Sequence, residues 1–263
     1  MNTAAYLHRI NWNSPAQPDL EALRNLHLQH ATHIPFENLD IQLGKTISLD
    51  LEALERKMIQ NNRGGYCFEQ NTLFQTMLME FGFDVIACEA RVRMGRSIMA
   101  PRTHMLLIVT LKEGRYLADV GFGGDGLLLP VPMDGNEHMQ FLWRYRIVEE
   151  GPLMVLQILR HGGWMDLYAF VPQSREPIDF VVANWFTSTH PESRFVQTLT
   201  VQQPTPEARF MLRNKMFVID RGGQEETREL KTREELIHIL DRTFGLSFPI
   251  DSPFRNPTFV ERS

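Results

Sequence analysis

The chain has 263 residues, 43% hydrophobic and 22% charged, an ordinary composition for a folded soluble protein that excludes wholesale disorder. Its formal net charge of −5 and pI near 6.0 offer no global attraction to nucleic acid or an anionic membrane. Residues 1–9 lack the charged start and apolar run of a secretory signal, and the apolar run 105–109 is far shorter than the roughly 20 residues of a membrane span.

In chain order, Asp19 is placed to cap a helix carrying Leu20, Leu23, Leu26 and Leu28. A second helix follows Asp50, with Leu51, Leu54 and Met58 on one stripe, and stops at Gly64-Gly65. A third runs over 67–80, with Phe74, Met77, Leu78 and Phe81 at helical spacing and Gly82 placed to close it. From about residue 85 to 171 the character changes to strands over 86–92, 104–111, 116–120, 141–148, 154–159 and 165–170. That spacing fits a small barrel or sandwich. The remainder mixes types: a short helix over 177–185, strands over 194–202 and 210–219, and a last helix. The last helix has Thr232 and Glu235 in capping-box positions, a stripe of Leu236, Ile239, Leu240 and Phe244, and Gly245 as terminator. The pattern divides the chain near residues 84 and 190.

The segment around Cys67 concentrates the chemistry. Gly64-Gly65 relaxes the backbone just before it, and Cys67 falls in the first turn of the third predicted helix. There the helix dipole and free N–H groups favour a thiolate. Residues 67, 70, 71, 74 and 78 share a face, so the thiol should point inward. Position alone leaves a buried structural cysteine and a nucleophile both open. The other cysteine, Cys88, sits mid-strand and reads as packing. Two cysteines make no disulfide framework, and with no export signal a cytoplasmic protein with free thiols is the expectation.

Among nine histidines, His27, His30 and His33 lie on or just beyond the first helix, where solvated or capping roles are expected and no metal site. His104 opens an apolar strand after a polar loop, a position suited to facing a cleft. Asp119 interrupts another apolar strand, and a buried carboxylate there needs a donor or cation. A histidine ring N–H would serve. A two-residue loop at Glu113-Gly114, however, would set Asp119 opposite Ile108 and roughly 13 Å from His104, so the contact needs a different loop, a bulge or another pairing.

The segment Arg63-Gly64-Gly65-Tyr66-Cys67-Phe68-Glu69-Gln70-Asn71 resembles the active-site cysteine motif of arylamine N-acetyltransferases. Ile34-Pro35-Phe36-Glu37-Asn38-Leu39-Asp40, Thr103-His104, Asp119-Val120-Gly121-Phe122-Gly123 and the stretch 184–195 resemble that family's other signatures, in its order. The resemblance implies an α+β fold in three parts: an N-terminal helical bundle over 1–84, a central β-barrel over 85–190 and a C-terminal α/β lid over 191–263. It also implies a cysteine-protease-like arrangement with Cys67 as nucleophile, His104 as base and Asp119 as orienting carboxylate. The implied reaction takes acetyl from acetyl-CoA as a cysteine thioester and passes it to an arylamine or hydrazine nitrogen, or to an N-hydroxyarylamine oxygen. Phe36 and Phe122 match aromatic pocket positions, and Glu37 and Arg63 match a charged pair bracing the active-site turn.

Ending at Ser263, the chain is expected to lack the C-terminal extension of several bacterial relatives, so contacts to CoA from that region do not transfer. Arg91, Arg93, Arg96 and Arg102, with no acidic residue between Glu89 and Glu113, lead into Thr103-His104. Arg102 and Thr103 are therefore candidates to meet CoA, with a solvated basic loop as the alternative. The competing functions are a Cys-His-Asp hydrolase or transglutaminase-like enzyme and an inactive binding module. No metal, nucleic acid or membrane partner is expected, and oligomeric state is open.

Overall fold

A computed structural model describes residues 1–13, 17–95 and 100–259; Arg96 and Ser263 lie outside them. The chain starts with α1 (Thr3–Arg9) and α2 (Leu20–His33), whose cap Asp19 accepts the Ala22 N–H at 2.8 Å. There follow β1 (Phe36–Glu37), α3 (Leu39–Gln42) and α4 (Leu51–Leu54), which runs on as a π-helical turn over Glu55–Gln60. The next helix is α5 (Cys67–Glu80), which buries Cys67, Gln70, Asn71, Phe74 and Leu78 along the expected face.

Why α5 starts at Cys67 is a matter of close approach. A Cβ added to Gly64 would stand 1.9 Å from the Pro35 carbonyl oxygen, so only glycine lets this strand of chain lie against the 35–37 segment. Glu37 N–H then donates to Gly65 C=O at 2.9 Å. At the far end, Gly82 at φ +85 turns the chain out of the helix.

Eight strands follow: β2 (Asp84–Val92), β3 (Arg102–Leu111), β4 (Gly114–Ala118), β5 (Val131–Pro132), β6 (His138–Gln140), β7 (Trp143–Glu150), β8 (Leu153–Arg160) and β9 (Gly163–Phe170). They form one antiparallel sheet in the order β5-β4-β3-β2-β9-β8-β7-β6, which curls until β5 lies beside β7. The uninterrupted burial of 104–109 in β3 has a simple cause: both faces are covered. Leu106 and Ile108 face the sheet's own interior with Cys88 and Tyr168, while Met105, Leu107 and Val109 pack with the helical residues.

After α6 (Pro177–Thr189) and α7 (Arg194–Gln197) come β10 (Thr200–Pro204), β11 (Arg209–Arg213), β12 (Met216–Arg221) and β13 (Gln224–Glu229). They join β1 in a second sheet, β1-β10-β11-β12-β13, so the short strand beside Cys67 is an edge of the C-terminal sheet. Last is α8 (Arg233–Phe244), capped by Thr232 and closed by Gly245 at φ +66. Its Leu236, Ile239, Leu240 and Phe244 cover Leu199, Val201 and Leu212.

Several expectations are corrected. The strand expected over 194–202 begins only at Thr200, because Ser193 caps the short helix α7, its Oγ accepting the Phe195 N–H at 3.3 Å. The strand expected over 210–219 is a hairpin, with Asn214 at φ 50 in the turn between Arg213 and Met216. Asparagine tolerates that left-handed geometry, so no glycine marks the break. The helix expected over 177–185 continues to Thr189. A Gly64→Ala variant is expected to lose about 3 kcal/mol or more of stability by denaturant titration, since the added methyl meets main chain and cannot relax.

Candidate active site

Cys67 opens α5 with only 3% of its surface exposed, and its Sγ lies 3.7 Å from the Thr103 carbonyl oxygen. His104 follows Thr103 in β3 and is equally buried. The β3–β4 turn is Lys112-Glu113, with Leu111 opposite Gly114 and Ala118 opposite Leu107. This one-residue difference from the Glu113-Gly114 loop brings Asp119 two residues along from His104, roughly 7 Å by strand rise, a gap two side chains can bridge. His104 Nε2 and Asp119 Oδ2 are 2.7 Å apart.

The Asp119 carboxylate is fully supplied with donors. Tyr168 Oη donates to Oδ2 at 2.8 Å, while Asn71 Nδ2 and the Gly121 N–H each donate to Oδ1 at 2.9 Å. Burial opposes its charge, but the His104 cation, its hydrogen bond and those of Asn71 and Gly121 hold it below the usual carboxylate range. Burial likewise opposes a charged His104. The carboxylate outweighs it, and with a further contribution from Cys67 raises the imidazole to about 10. Cys88 contrasts: burial in the barrel interior pushes its thiol up to about 11.

Cys67 and His104 line a cavity of about 450 Å³, with Phe36, Phe122, Phe195 and Thr103 among its walls. Phe122 meets the His104 ring edge-on at 5.1 Å between centroids. Gly121 lets this loop close over α5, since a Cβ there would stand 2.7 Å from the Cys67 Cα. Arg102 lines an adjoining depression of about 380 Å³ instead, and its Nη1 donates to Glu89 Oε1 at 2.5 Å. Arg93 pairs with Glu150 at 2.7 Å and Asp166 at 2.9 Å, and Arg91 donates to the Ala100 carbonyl at 2.6 Å. Carboxylates from elsewhere in the chain thus compensate much of the basic stretch.

Glu37, fully buried, meets the partly buried Arg63, with Arg63 Nη2 and Nε at 2.6 and 2.9 Å from Glu37 Oε1. Arg63 Nη1 also reaches Asp40 at 3.2 Å, and Lys57 joins Asp40 at 3.1 Å to Glu69 at 2.7 Å. Glu69 Oε2 accepts the Tyr66 N–H at 3.1 Å, fixing the residue before Cys67. These charges tie β1, α3, the π-helical turn and the start of α5 together. Burial opposes ionisation of Asp40, yet Lys57 and Arg63 hold its carboxyl down at about 2.

The first histidines are not solvated, contrary to expectation: His27 and His30 are 0% exposed. Burial pushes His27 down to about 4 and His30 to about 3, so both rings are neutral at pH 7. His27 contacts the Leu128 carbonyl and the Asp119 N–H. His30 links Tyr6 Oη at 2.9 Å to Gln70 Oε1 at 2.7 Å, and Gln70 Nε2 donates to the Pro35 carbonyl at 2.9 Å. Asn71 and Tyr168 were missed as supports of Asp119. Asn71 carried a signal, one helical turn from Cys67 on the inward face; Tyr168 carried none beyond its strand. Among the described residues no group of three or more His, Cys, Asp or Glu side chains is arranged to hold a metal, and no helix is long and apolar enough to cross a membrane.

The chain matches the N-acetyltransferase family over residues 19–252. It is 36% identical to the Escherichia coli arylamine N-acetyltransferase across 92% of this chain and 87% of that protein. It is also 36% identical to the Salmonella typhimurium arylamine N-acetyltransferase / N-hydroxyarylamine O-acetyltransferase, across 92% and 88% respectively. The fold superposes on Mycobacterium marinum arylamine N-acetyltransferase in complex with CoA with a TM-score of 0.89 and 35% identity, covering 93% of each chain.

Asp40 has a depressed folded-state pKa, so its stabilisation is present above the ordinary 3.8 and is lost as pH falls through about 2. Asp40→Asn is expected to cost about 2 kcal/mol at pH 7 in urea unfolding, with the gap to wild type narrowing as pH is lowered below 4.

Proposed function

The chain belongs to the arylamine N-acetyltransferase family, and we propose that it moves acetyl from acetyl-CoA to the nitrogen of arylamines or hydrazines by way of an acetylated Cys67. Transfer to the oxygen of N-hydroxyarylamines belongs to the same reading, supported by the Salmonella relative's second activity. The observation that carries it is the 2.7 Å His104–Asp119 contact, buried beside a thiol in an aromatic-walled cavity.

In the first half-reaction His104 already holds the Sγ proton as an imidazolium, and the paired Cys67 sulfur attacks the thioester carbonyl carbon. The carbon–sulfur bond to CoA then breaks, and CoA leaves as the thiol with the proton from His104. In the second, the amine attacks the acetyl-cysteine carbonyl and His104 accepts its proton. The carbon–Sγ bond breaks, releasing the amide and restoring the Cys67–His104 ion pair. Asp119 orients the ring and stabilises its cation throughout. The Cys67 N–H lies in the first turn of α5, where no preceding carbonyl claims it, and serves the developing oxyanion.

Phe36 and Phe122 supply flat apolar surface to an aromatic acceptor. Thr103 lies on the cavity wall and Arg102 at the adjoining depression, a placement that supports roles toward CoA, although the ion pair to Glu89 must loosen for Arg102 to meet a phosphate. Glu37 and Arg63 hold the turn that presents the thiol.

Intact-mass analysis after incubation with acetyl-CoA is expected to show one acetyl adduct, absent in Cys67→Ala and discharged by an added arylamine as the acetamide appears. Steady acetyl-CoA hydrolysis with no acetamide would instead make the enzyme a hydrolase. Asp119→Asn is expected to lower kcat/KM by about a thousandfold or more, and His104→Gln to slow iodoacetamide alkylation of Cys67 at pH 7 by at least about tenfold.

A further inference from the structure

We propose that His27 is a positioning residue that sets the 119–128 loop, and with it both Asp119 and Phe122, by holding the two ends of that loop through its two ring nitrogens. That loop makes up most of the 119–130 connection between β4 and β5, which has no helix or strand of its own. Its first residue, Asp119, donates its N–H to His27 Nε2 at 3.1 Å. The carbonyl of Leu128, at its far end, lies 3.0 Å from His27 Nδ1.

Each contact fixes the role of one nitrogen. An amide N–H can only donate and a carbonyl can only accept, so Nε2 is the bare acceptor and Nδ1 carries the hydrogen. Only the neutral ring in this one tautomer satisfies both ends. The ring is fully buried on α2, edge-on to Phe74 at 5.7 Å, and burial keeps it neutral at pH 7.

What lies between the two contacts gives the arrangement its consequence. Asp119 reaches His104, Gly121 lies against the Cys67 Cα, and Phe122 walls the cavity. If the spacing of the loop ends changes, the carboxylate and the aromatic wall move together. The ring is thus placed to couple activation of the thiol to the fit of the acceptor. Simple core filling would require only an apolar body of similar size and would assign no role to either nitrogen.

The effect on turnover rests on the acetyl-transfer reading; the tautomer does not, and it is tested first. In the wild-type protein labelled with ¹⁵N-histidine, the His27 imidazole is expected to be neutral and protonated at Nδ1. An Nε2–H tautomer or a charged ring at pH 7 would overturn the proposal without any assay of activity.

The second arm compares His27→Gln with His27→Met, side chains of similar length of which only the first can both accept and donate. Competent sites are counted by the p-nitrophenolate burst from p-nitrophenyl acetate, so loss of folded protein does not count as loss of rate. Per competent site, His27→Met is expected to raise the KM for an arylamine about tenfold and to slow acylation by a similar factor, with His27→Gln recovering most of both. Equal behaviour of the two variants, or wild-type values for His27→Met, would reduce His27 to packing. If His27→Met does not fold, the tautomer and His27→Gln at near-wild-type KM still support the proposal, and a KM raised about tenfold in His27→Gln rejects it. A wild-type protein that forms no acetyl adduct would reject the acetyl-transfer reading and leave the tautomer result standing.

Discussion

The arrangement depends on one buried negative charge. A carboxylate removed from water has to be repaid by donors, and Asp119 collects four: the His104 ring, the Tyr168 hydroxyl, the Asn71 amide and the Gly121 N–H. Those donors come from β3, β9, α5 and the loop itself, so satisfying the charge obliges the helical residues, the curled sheet and the loop to meet at one place. The imidazolium is the electrostatic counterpart, and the thiol stands beside it because α5 begins there. The contacts that satisfy the charge are the same ones that set the proposed catalytic geometry.

Around that charge, close approach does what polar contacts cannot. Gly64 lets the chain before Cys67 lie against the Pro35 carbonyl, and Gly121 lets the loop close onto the Cys67 backbone. Either side chain would hold the thiol away from its partners. The Glu37, Arg63, Asp40, Lys57 and Glu69 charges then secure the same turn from its far side, with Glu69 capping the helix that the thiol opens. The C-terminal sheet contributes as well, because β1, which carries Phe36, is its edge strand.

Much of this was legible in the sequence, for identifiable reasons. The helix from Cys67 shows its period and its inward face because Phe74 and Leu78 repeat on it, and the curled sheet shows as short apolar runs between turn residues. The His104–Asp119 contact was not legible from register, because a hairpin loop shifted by one residue moves the partner by two positions along the strand. His27 and His30 were misread because a polar residue on a helix looks solvated until its partners are known, and those partners lie up to 101 residues away. Arg209 makes the same point in the C-terminal sheet. A charged residue in a strand reads as surface, yet it is 1% exposed, held by Asp125 and stacked on Trp143. Buried polar groups are specified by pairs, and a single sequence displays both members without showing which belongs with which.

The two free cysteines have a consequence of another kind. Cys67 borders a cavity, while Cys88 is sealed in the barrel interior with its thiol pushed up to about 11. A thiol reagent therefore meets two barriers of different origin in one chain. Labelling of the first follows access to a cavity, whereas labelling of the second waits for the sheet to open, so mass spectrometry of a single native sample separates ligand-gated entry from unfolding. The protein carries its own internal clock for the integrity of its scaffold, independent of any substrate.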